Sequence, residues 1–410
     1  MKVIIVGGGI GGLAAYHALR TYLPSNVSIK VYESYPTPKT ATSLVGGGIG
    51  IFLNGLRALN AISPSSVLYL RAHGNAGPYF VVRNQNGTTL GRLGGVQDRI
   101  LLPRASAHES LLLGIPDGVV EWGRKAIEVR ETAGAAQVVF KDGTIETCDL
   151  IIGADSVKSV CRQALFGEEA YRLQYDGTTT IGGFAPFVSL TPALQSSIKA
   201  DQAVMTLSHN GSFTYALSLP TSTSVNEQQV MFWSTAFRHI IAAASRPTTA
   251  DPRFAKWLVL PRCEIPPLPY WSSLHGTTKG AARIILVGDA AHPATPDSGQ
   301  GASMALEDAQ MLGVLLCHYL RNLHPDEALP KVAKAYEDLR IPRIEMINNL
   351  GKRYSNGNRE YTWFKAAVRD LMIWVMCHLP LRVMLWINPT CLYDGLFFWK
   401  VRTLLNRYLD

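Results

Sequence analysis

The chain has 410 residues, of which 47% are hydrophobic. This length exceeds the roughly 250–300 residues at which a single core stops growing, so we expect two lobes. Lysine and arginine number 39 against 31 acidic residues, which gives a net charge of +8 and a pI near 9.1. Because these cations form no dense block, nucleic acid ranks low as a partner; anionic cofactors or an acidic membrane face would also explain the charge.

The cysteines and the N-terminus give no sign of a metal site, a disulfide framework or an export signal. The six cysteines form no CxxC pair and no His/Cys spacing typical of zinc ligands, so we predict neither a metal site nor a disulfide framework. The first apolar run has four residues and is too short for the hydrophobic region of a secretory signal. Reduced thiols and no export signal together predict a cytoplasmic protein.

Alternating strand and helix patterns dominate the first 60 residues. Val3–Val6 predicts a buried strand, and Gly11–Tyr22 predicts a helix with small apolar residues on one face. Val27–Tyr32 predicts the next strand. This is a β-α-β unit of the size that binds one half of a dinucleotide.

A glycine cluster, Gly7-x-Gly9-x-x-Gly12, lies between the first strand and the helix. Gly7 permits a tight turn, Gly9 lets the backbone approach a pyrophosphate, and Gly12 permits close packing of helix on strand. The helix start offers free N–H groups and a positive dipole end to the phosphates, and Glu33 closes the second strand where it would accept ribose hydroxyls. The motif predicts a dinucleotide site without separating NAD from FAD.

The middle of the chain has a different texture. From about residue 171 to 270, runs rich in Thr, Ser and aromatic residues predict antiparallel strands of a separate layer. Buried strands are expected on either side of this layer, at Leu150–Ile152 and Arg283–Val287. Helical periodicity follows over three stretches: Pro296 to about Leu320, 330–350 and 360–387.

The stretch RIILVGDAAHPATPDSGQGASMALEDAQ, residues 283–310, favours FAD over NAD. A buried strand runs into Gly288 and Asp289, and the Asp289 carboxylate could accept hydrogen bonds from a sugar-alcohol chain. The start of the following helix would favour negative charge on a flat ring. FAD has a ribityl chain and an anionic reduced ring, whereas NAD has neither. Three small residues would let the helix start approach that ring: Gly299, Gly301 and Ala302.

These residues carry a family resemblance. The chain resembles the single-component FAD-dependent aromatic hydroxylases typified by salicylate and para-hydroxybenzoate hydroxylases, and most of all their fungal secondary-metabolism members. Four motifs in family order carry the resemblance over residues 1–350: the fingerprint ending in Glu33, GGGI at 46–49, Arg104 in LLPRASAHESLL, and DLIIGADSVKSVCR at 149–162 followed by GDAAHPATPDSGQGASMALEDA. The resemblance implies that FAD is contacted by Glu33, Gly47, Arg104, Asp155, Asp289 and Ala302.

Fold and domain limits follow from these patterns. We predict an α/β fold with a Rossmann-like FAD-binding domain, an inserted antiparallel β-sheet domain for the substrate and a C-terminal helical tail. The FAD-binding domain is predicted to comprise 1–75, 95–168 and 280–350, the sheet domain 76–94 and 169–279, and the tail 351–410.

The resemblance also implies an activity. Such a flavoprotein would be an FAD-dependent monooxygenase, an oxidoreductase that uses NADPH or NADH as a transient reductant and O2. A flavin C4a-hydroperoxide would deliver oxygen to an apolar, electron-rich aromatic, indole, terpenoid or polyketide substrate by hydroxylation or epoxidation. One alternative is a non-catalytic carrier of the kind that escorts prenylated GTPases, against which Asp289 speaks. Another is a flavin halogenase, whose Trp-x-Trp-x-Ile-Pro signature we do not find.

Three departures from the family pattern concern cofactor and substrate handling. Ser156 replaces the last glycine of a Gly-Ala-Asp-Gly turn that serves both flavin and nicotinamide nucleotide. Ser34 follows Glu33 where the family often has Arg or Lys. Gly182 and Gly183 occupy a strand where many members place an Arg. The usual anchor for an anionic phenolic substrate is therefore missing.

Few side chains are candidates for direct catalysis. Tyr215 on a predicted strand could activate or hold a phenol or carbonyl, with half-buried packing as the alternative. His209 and Arg238 are weaker candidates, which we expect at the surface or rim. His292, after the Gly-Asp-Ala-Ala turn, is predicted to order that loop rather than to act as a base.

The tail is apolar but interrupted. Leu371–Leu381 and Val383–Tyr393 are each shorter than the roughly 20 residues that span a bilayer, and Pro380 and Pro389 break the pair. Buried helical packing is the prediction, and peripheral contact with a membrane is the alternative.

Overall fold

A computed structural model shows how most of the chain is arranged. It describes residues 1–43, 47–77, 79–94, 99–132, 134–201, 203–209, 211–217, 230–238, 258–276, 280–293, 299–355 and 362–379. Pro296 and the tail beyond 379 therefore lie outside the described residues.

The strands are, in chain order, β1 (Lys2–Val6), β2 (Ser28–Glu33), β3 (Gly48–Phe52), β4 (Tyr79–Asn84), β5 (Thr89–Gly94), β6 (Arg99–Pro103), β7 (Val120–Trp122), β8 (Ala126–Thr132), β9 (Ala135–Phe140), β10 (Ile145–Cys148), β11 (Leu150–Gly153), β12 (Gln174–Pro186), β13 (Ala203–Leu207), β14 (Gly211–Leu217), β15 (Val230–Arg238), β16 (Leu258–Glu264) and β17 (Ile284–Leu286). The α-helices are α1 (Ile10–Tyr22), α2 (Pro38–Ser43), α3 (Leu53–Ile62), α4 (Pro64–His73), α5 (Arg104–Leu112), α6 (Val160–Phe166), α7 (Pro192–Ala200), α8 (Gly301–Leu320), α9 (Pro325–Ser355) and α10 (Trp363–His378).

Five parallel strands form the central sheet, in the order β17-β11-β1-β2-β7. The middle strand β1 reads KVIIV, and Val3, Ile4 and Ile5 are fully inaccessible, as expected for a parallel sheet covered on both faces. Its neighbour β11 and the next strand β17 come from far along the chain. The nucleotide-binding lobe is thus assembled from distant segments, and the predicted α/β fold is confirmed.

Seven strands form a second sheet, in the order β16-β12-β15-β14-β13-β4-β5, and only β13 and β4 run parallel. We call the face that contains Ala203 and Ala216 the inner face, because both pack against Leu101 of β6. The outer face contains Leu217, which packs against Ile198 of α7. β3 and β6 pair as a separate two-stranded ladder, and β8–β10 form a small antiparallel sheet.

Helix α8 lies at the centre of the nucleotide-binding lobe, packed against α1, α3 and α9. Its close approach to α1 depends on Gly313, where a Cβ atom would come within 2.9 Å of Tyr22 and 3.0 Å of Ala18. Helix α10 packs on β5 so closely that a Cβ atom at Gly91 would lie 2.2 Å from the Cβ of Cys377. This contact places the start of the predicted tail beside the seven-stranded sheet.

Candidate functional site

The turn between β1 and α1 has the conformation that its glycines predict. Gly7 has a φ of +105°, and a Cβ atom there would lie 2.3 Å from the carbonyl oxygen of Ala154. At Gly12 a Cβ atom would lie 1.9 Å from the Gly7 oxygen. Gly9 differs, because a Cβ atom there would meet nothing nearer than Arg104 Nη2, at 3.9 Å. Gly7 and Gly12 therefore serve the protein's own packing, whereas Gly9 leaves its backbone open to a ligand.

The carboxylate of Glu33 is buried at the end of β2 and is held by the same turn. Its Oε2 accepts a 2.7 Å hydrogen bond from the backbone N–H of Gly8, and its Oε1 accepts 2.9 Å bonds from Ser34 Oγ and Tyr35 N. Ser34, which replaces a family cation, thus serves to fix Glu33. Because an ionised carboxylate has about four acceptor positions, one remains for a ribose hydroxyl.

Arg104 connects the two predicted halves of the cofactor site. It begins α5, and its backbone N–H donates a 2.9 Å hydrogen bond to the Gly47 carbonyl. Burial lowers the pKa of its guanidinium, while Asp289 and Glu33 act in the opposite direction. The arginine therefore lies within electrostatic reach of both carboxylates, one from each end of the nucleotide-binding lobe.

A tight turn after β17 carries Asp289. Gly288 has a φ of +58°, and its N–H donates a 2.9 Å hydrogen bond to Asp308 Oδ2 on α8. His292, four residues later, donates a 2.6 Å bond to the same oxygen, so Asp308 holds both ends of the turn. The Asp289 side chain is exposed, although surrounding protein atoms raise its pKa by desolvation. An exposed carboxylate at this position can accept hydrogen bonds from a ligand.

The start of α8 lies against the end of β3. Gly299 has a φ of +62°, and a Cβ atom there would lie 3.1 Å from the Phe52 ring. The backbone N–H of Phe52 donates a 3.1 Å hydrogen bond to Ser303 Oγ on the first turn of the helix. Gly301 begins the helix and Ala302 is half-buried there. The small residues keep this positive helix end accessible to a flat, negatively charged ring.

FAD fits the residues that these elements bring together. The open backbone at Gly9 and the start of α1 suit a diphosphate, and Arg104 supplies a nearby cation. Glu33 and Asp289 are acceptors for hydroxyl groups, at two positions joined electrostatically through Arg104. The start of α8 suits the ring system. The individual FAD contacts of the twelve cofactor residues stay predictions.

Asp155 uses its carboxylate within its own turn. Its oxygens accept hydrogen bonds from Ser159 Oγ at 2.6 Å and from the backbone N–H groups of Val160 and Cys161 at 2.7 and 3.2 Å. The side chain thus caps α6, and burial raises the pKa of its carboxyl group. Ser156 has a φ of +67°, a left-handed conformation that explains why glycine is the family residue at this position.

A buried charged cluster behind the site was not recognised from the sequence. Arg340 Nε donates a 2.7 Å hydrogen bond to Asp308, and its Nη1 donates a 2.6 Å bond to Glu307. Arg343 also donates to Glu307, as does Asn54 from α3. Burial acts to raise the pKa of Asp308, but the adjacent His292 and Arg340 outweigh it and lower that pKa to about 2. The available sequence signal was a Glu-Asp pair within the otherwise apolar face of α8.

The predicted catalytic candidates lie away from this site. Tyr215 shares the outer face of the seven-stranded sheet with Leu217, and it packs beside Phe187 and Ile198. This placement favours a packing role for Tyr215 over the predicted catalytic role, because its hydroxyl lies on the face opposite Leu101. His209 is exposed and contacts Gln85.

The structure also locates two other residues that were considered from the sequence, Arg238 and His292. Arg238 ends β15, where its backbone pairs with Thr178, and the position of its side chain lies outside what the structure describes. His292 is buried and holds the 288–292 turn through Asp308. It therefore orders the loop that carries Asp289.

The comparisons with known proteins agree with this site. A model of the FAD binding domain family matches residues 124–349, which is more than half of the chain. Salicylate hydroxylase of Pseudomonas putida is 28% identical over 369 residues, covering 83% of this chain and 82% of that protein. A 6-methylsalicylate 1-monooxygenase of Aspergillus terreus is 28% identical over 389 residues, covering 85% and 80%.

Solved structures show the same fold. Klebsiella pneumoniae HpxO, crystallised with FAD and uric acid, superposes with a TM-score of 0.73 at 20% identity, covering 95% of this chain and 96% of that one. A salicylate hydroxylase substrate complex gives a TM-score of 0.68 at 20% identity, covering 98% and 96%. The chain belongs to the FAD binding domain family and is a salicylate hydroxylase-like, FAD-dependent monooxygenase.

Proposed function

We propose that this monooxygenase takes electrons from NADPH or NADH and uses O2 to hydroxylate or epoxidise an apolar, electron-rich small molecule. Aromatic, indole, terpenoid and polyketide skeletons belong to this class. A role in secondary metabolism is in keeping with the similarity to the fungal 6-methylsalicylate 1-monooxygenase. The observation that carries the proposal is the chemistry of the inner face of the seven-stranded sheet.

The inner face lies opposite the part of the nucleotide-binding lobe that meets α8. Strands β3 and β6 pair with Gly50 across from Leu101, and Leu101 contacts Ala203 and Ala216 of the inner face. Phe52, two residues after Gly50, touches the start of α8. A substrate between this ladder and the inner face would therefore lie beside the ring site.

Two rows of residues cross the inner face without a charge. One row follows the register Gly182, Ser234, Thr214, Met205 and Val82, and its Met205 and Val82 end packs against Ile373 of α10, which leaves the Gly182 end for a substrate. The second contains Phe184, Ala216 and Ala203, whose strands pair in the same register. Side chains of this kind bind apolar rings and offer at most hydroxyl hydrogen bonds. A Cβ atom at Gly182 would lie 2.7 Å from the carbonyl oxygen of Trp233, so this position, where many family members place an arginine, does not admit a side chain here.

The chain's own residues bind the cofactor, orient the groups that contact it and shield the reacting groups from water. When bound, FAD supplies the redox chemistry. The start of α8 favours negative charge on the ring, and Asp308 fixes the turn that positions Asp289. The apolar inner face excludes water from the reacting groups. A non-catalytic carrier needs none of this arrangement, so it ranks below a monooxygenase. The halogenase ranks below it because the sequence lacks the Trp-x-Trp-x-Ile-Pro signature.

Oxygen incorporation tests the proposal directly. The purified protein should be yellow, and NADPH or NADH should reduce its flavin faster in the presence of a suitable phenolic, indolic or prenylated compound. Turnover under 18O2 should then add one labelled oxygen to that compound, detected by mass spectrometry. A colourless protein, or a reduced flavin that yields only hydrogen peroxide with every compound class, would contradict the proposal.

We propose in addition that α10 makes peripheral contact with an anionic lipid surface. Trp363 is 81% exposed, and Phe364 and Leu371 are each 61% exposed on the same helix. Lys365 is exposed beside them, and the whole chain carries a net charge of +8. Exposed aromatic and aliphatic residues together with cations suit an interface containing acidic lipids. In the described part of the chain, every helix is too short or too polar to reach across a bilayer.

Vesicle flotation tests whether the exposed apolar residues of α10 bind lipid or are merely exposed to solvent. The protein should float with vesicles that contain phosphatidylglycerol and less with phosphatidylcholine alone. A Trp363→Ser, Leu371→Ser double variant should lose the binding. Leu68→Ser removes an exposed leucine from α4 and should retain it. Equal flotation of all three proteins, or none, would contradict the contact.

A further inference from the structure

Arg99 is buried beside the inner face. It begins β6 and pairs with Phe52 at the end of β3. Because side chains alternate along a strand, Arg99 lies on the same side of β6 as Leu101, which contacts the inner face. Its guanidinium lies 4.3 Å from the centre of the Phe80 ring, another member of that contact. Arg99 therefore borders the proposed substrate space.

The bonding of Arg99 is incomplete. The residue is only 5% exposed, and its Nε donates a 3.0 Å hydrogen bond to the Gly77 carbonyl. Among the described residues its Nη2 is buried without a hydrogen-bond partner, and no carboxylate offsets the effect of burial on its pKa. Burial alone lowers its pKa to about 10, a value at which the group stays charged near neutrality.

Other arginines of the chain show what a structural role looks like. Arg340 is fully buried and contacts both Asp308 and Glu307. Arg83, on the outer face of the same sheet, lies 2.5 Å from Asp201. A buried cation without a counter-ion is destabilising, so its presence calls for a ligand that supplies the charge.

We propose that Arg99 binds a carboxylate carried by the substrate. The proposal rests on the function proposed above and refines it: the substrate has an apolar, electron-rich skeleton with one acidic group at the β6 side. A guanidinium can bind a carboxylate with two parallel hydrogen bonds, and Phe80 supports the guanidinium plane from behind. Arg99 thereby supplies, from another strand, the cation that Gly182 and Gly183 do not.

Two probes that differ only in the carboxylate test this assignment. FAD-loaded protein is titrated with 3-hydroxy-2-naphthoate and with 2-naphthol, and binding is followed by the absorbance change of the flavin. The wild type should bind the acid at least about tenfold more tightly, as expected for a desolvated charge pair. Arg99→Met should remove this preference by weakening the acid alone, and Arg99→Lys should retain part of it. Arg130→Met, an exposed arginine of β8, should behave as wild type.

Other outcomes overturn the proposal. These are equal affinity of the wild type for acid and naphthol, binding of neither, or an acid preference that survives in Arg99→Met. Thermal unfolding provides a second measurement, because removing an uncompensated buried charge should leave Arg99→Met at least as stable as the wild type. A clear loss of stability would instead assign Arg99 a structural role.

The same samples separate this proposal from the function on which it rests. Acid-selective binding that depends on Arg99, but without 18O incorporation into any compound, would contradict the monooxygenase activity and leave the carboxylate site standing. Oxygenation of both probes, bound with equal affinity, would support the monooxygenase activity and contradict the carboxylate site.

Discussion

His292 and Asp308 form a 2.6 Å hydrogen bond in the protein interior, behind the turn that carries Asp289. The Asp308 carboxylate also accepts from Gly288 N–H and from Arg340 Nε. One buried acid on α8 thus fixes the turn at the end of β17 and connects it to α9. The position of the predicted flavin contact at Asp289 depends on a residue that does not reach the cofactor.

Asp308→Asn should destabilise the fold and weaken FAD binding. The substitution removes a negative charge beside Arg340 and His292, and breaking a buried pair in this way costs about 3–5 kcal/mol. Urea unfolding with and without FAD would measure both effects. Asp338→Asn, at an exposed pair with Lys334, serves as the control and should change stability by less than about 1 kcal/mol. Equal effects of the two variants would contradict this account.

Acidification should narrow the difference in unfolding free energy between wild type and Asp308→Asn. The pKa of Asp308 is about 2 in the folded protein, below its ordinary value of 3.8. A depressed carboxyl pKa stabilises the fold above about pH 4, and this contribution is lost as the pH falls toward 2. Asp155 and Asp289 have raised pKa values and act in the opposite direction, so the comparison of the two proteins is needed. Unfolding free energies at pH 5, 4 and 3 would show whether the gap narrows.

Ser156→Gly should stabilise the protein by about 0.5–1 kcal/mol. A left-handed conformation costs a side-chain-bearing residue about 1–2 kcal/mol, and the greater freedom of glycine in the unfolded chain offsets part of the gain. Ser156→Ala keeps the Cβ atom and should give no such increase. Thermal unfolding of the wild type and both variants measures these changes in stability. An equal gain in Ser156→Ala would contradict the role of the left-handed conformation.

Gly9→Ala and Gly12→Ala should fail in different ways. A methyl group at Gly9 has room, and the residue has an ordinary φ of −78°, so the apo protein should keep its stability while FAD affinity falls. A methyl group at Gly12 would collide with the Gly7 carbonyl and should cost at least the roughly 1–3 kcal/mol typical of overpacking. Apo-protein melting and FAD titration measure the two effects. Normal FAD binding by Gly9→Ala would count against a cofactor contact there.

Tyr215→Phe and Thr214→Phe should separate the two faces of β14. Tyr215 lies on the outer face, so loss of its hydroxyl should reduce turnover far less than the roughly 100-fold expected for a general acid or base. Thr214 lies on the inner face, and a phenyl group there should obstruct the substrate. Substrate-dependent NADPH consumption measures both. A large loss in Tyr215→Phe with unchanged stability would reinstate the tyrosine as a catalytic residue.

Several parts of the nucleotide site could be predicted from the sequence because each is formed by residues that are close together in the chain. Gly7, Gly9 and Gly12 act within one turn, and the apolar run before them predicts its strand without reference to the rest of the chain. The Gly288 turn and the start of α8 likewise belong to one continuous segment of the sequence. Strands β11 and β17 could be recognised for the same reason, although their pairing could not.

The remaining features depend on contacts between distant segments. Asp308 and Arg340 lie 32 residues apart on different helices, and neither shows a partner in the sequence. Tyr215 illustrates a second obstacle: alternation along a strand divides its residues into two faces without saying which one meets the cofactor lobe. Arg99 is a third such case, because a single cation at the start of a strand carries no sequence signal of a binding role. Among the described residues no carboxylate offsets the effect of burial on its pKa, and only the fold shows this.

The order of strands in the central sheet also bears on how the protein is made. β1 leaves the ribosome more than 250 residues before β17 and the start of α8, which complete the ring site. Nascent protein must therefore keep an apolar sheet edge at β11 unpaired through much of translation. We expect flavin loading to be a late event in biogenesis, and chaperone dependence to rise when translation is slowed between these segments.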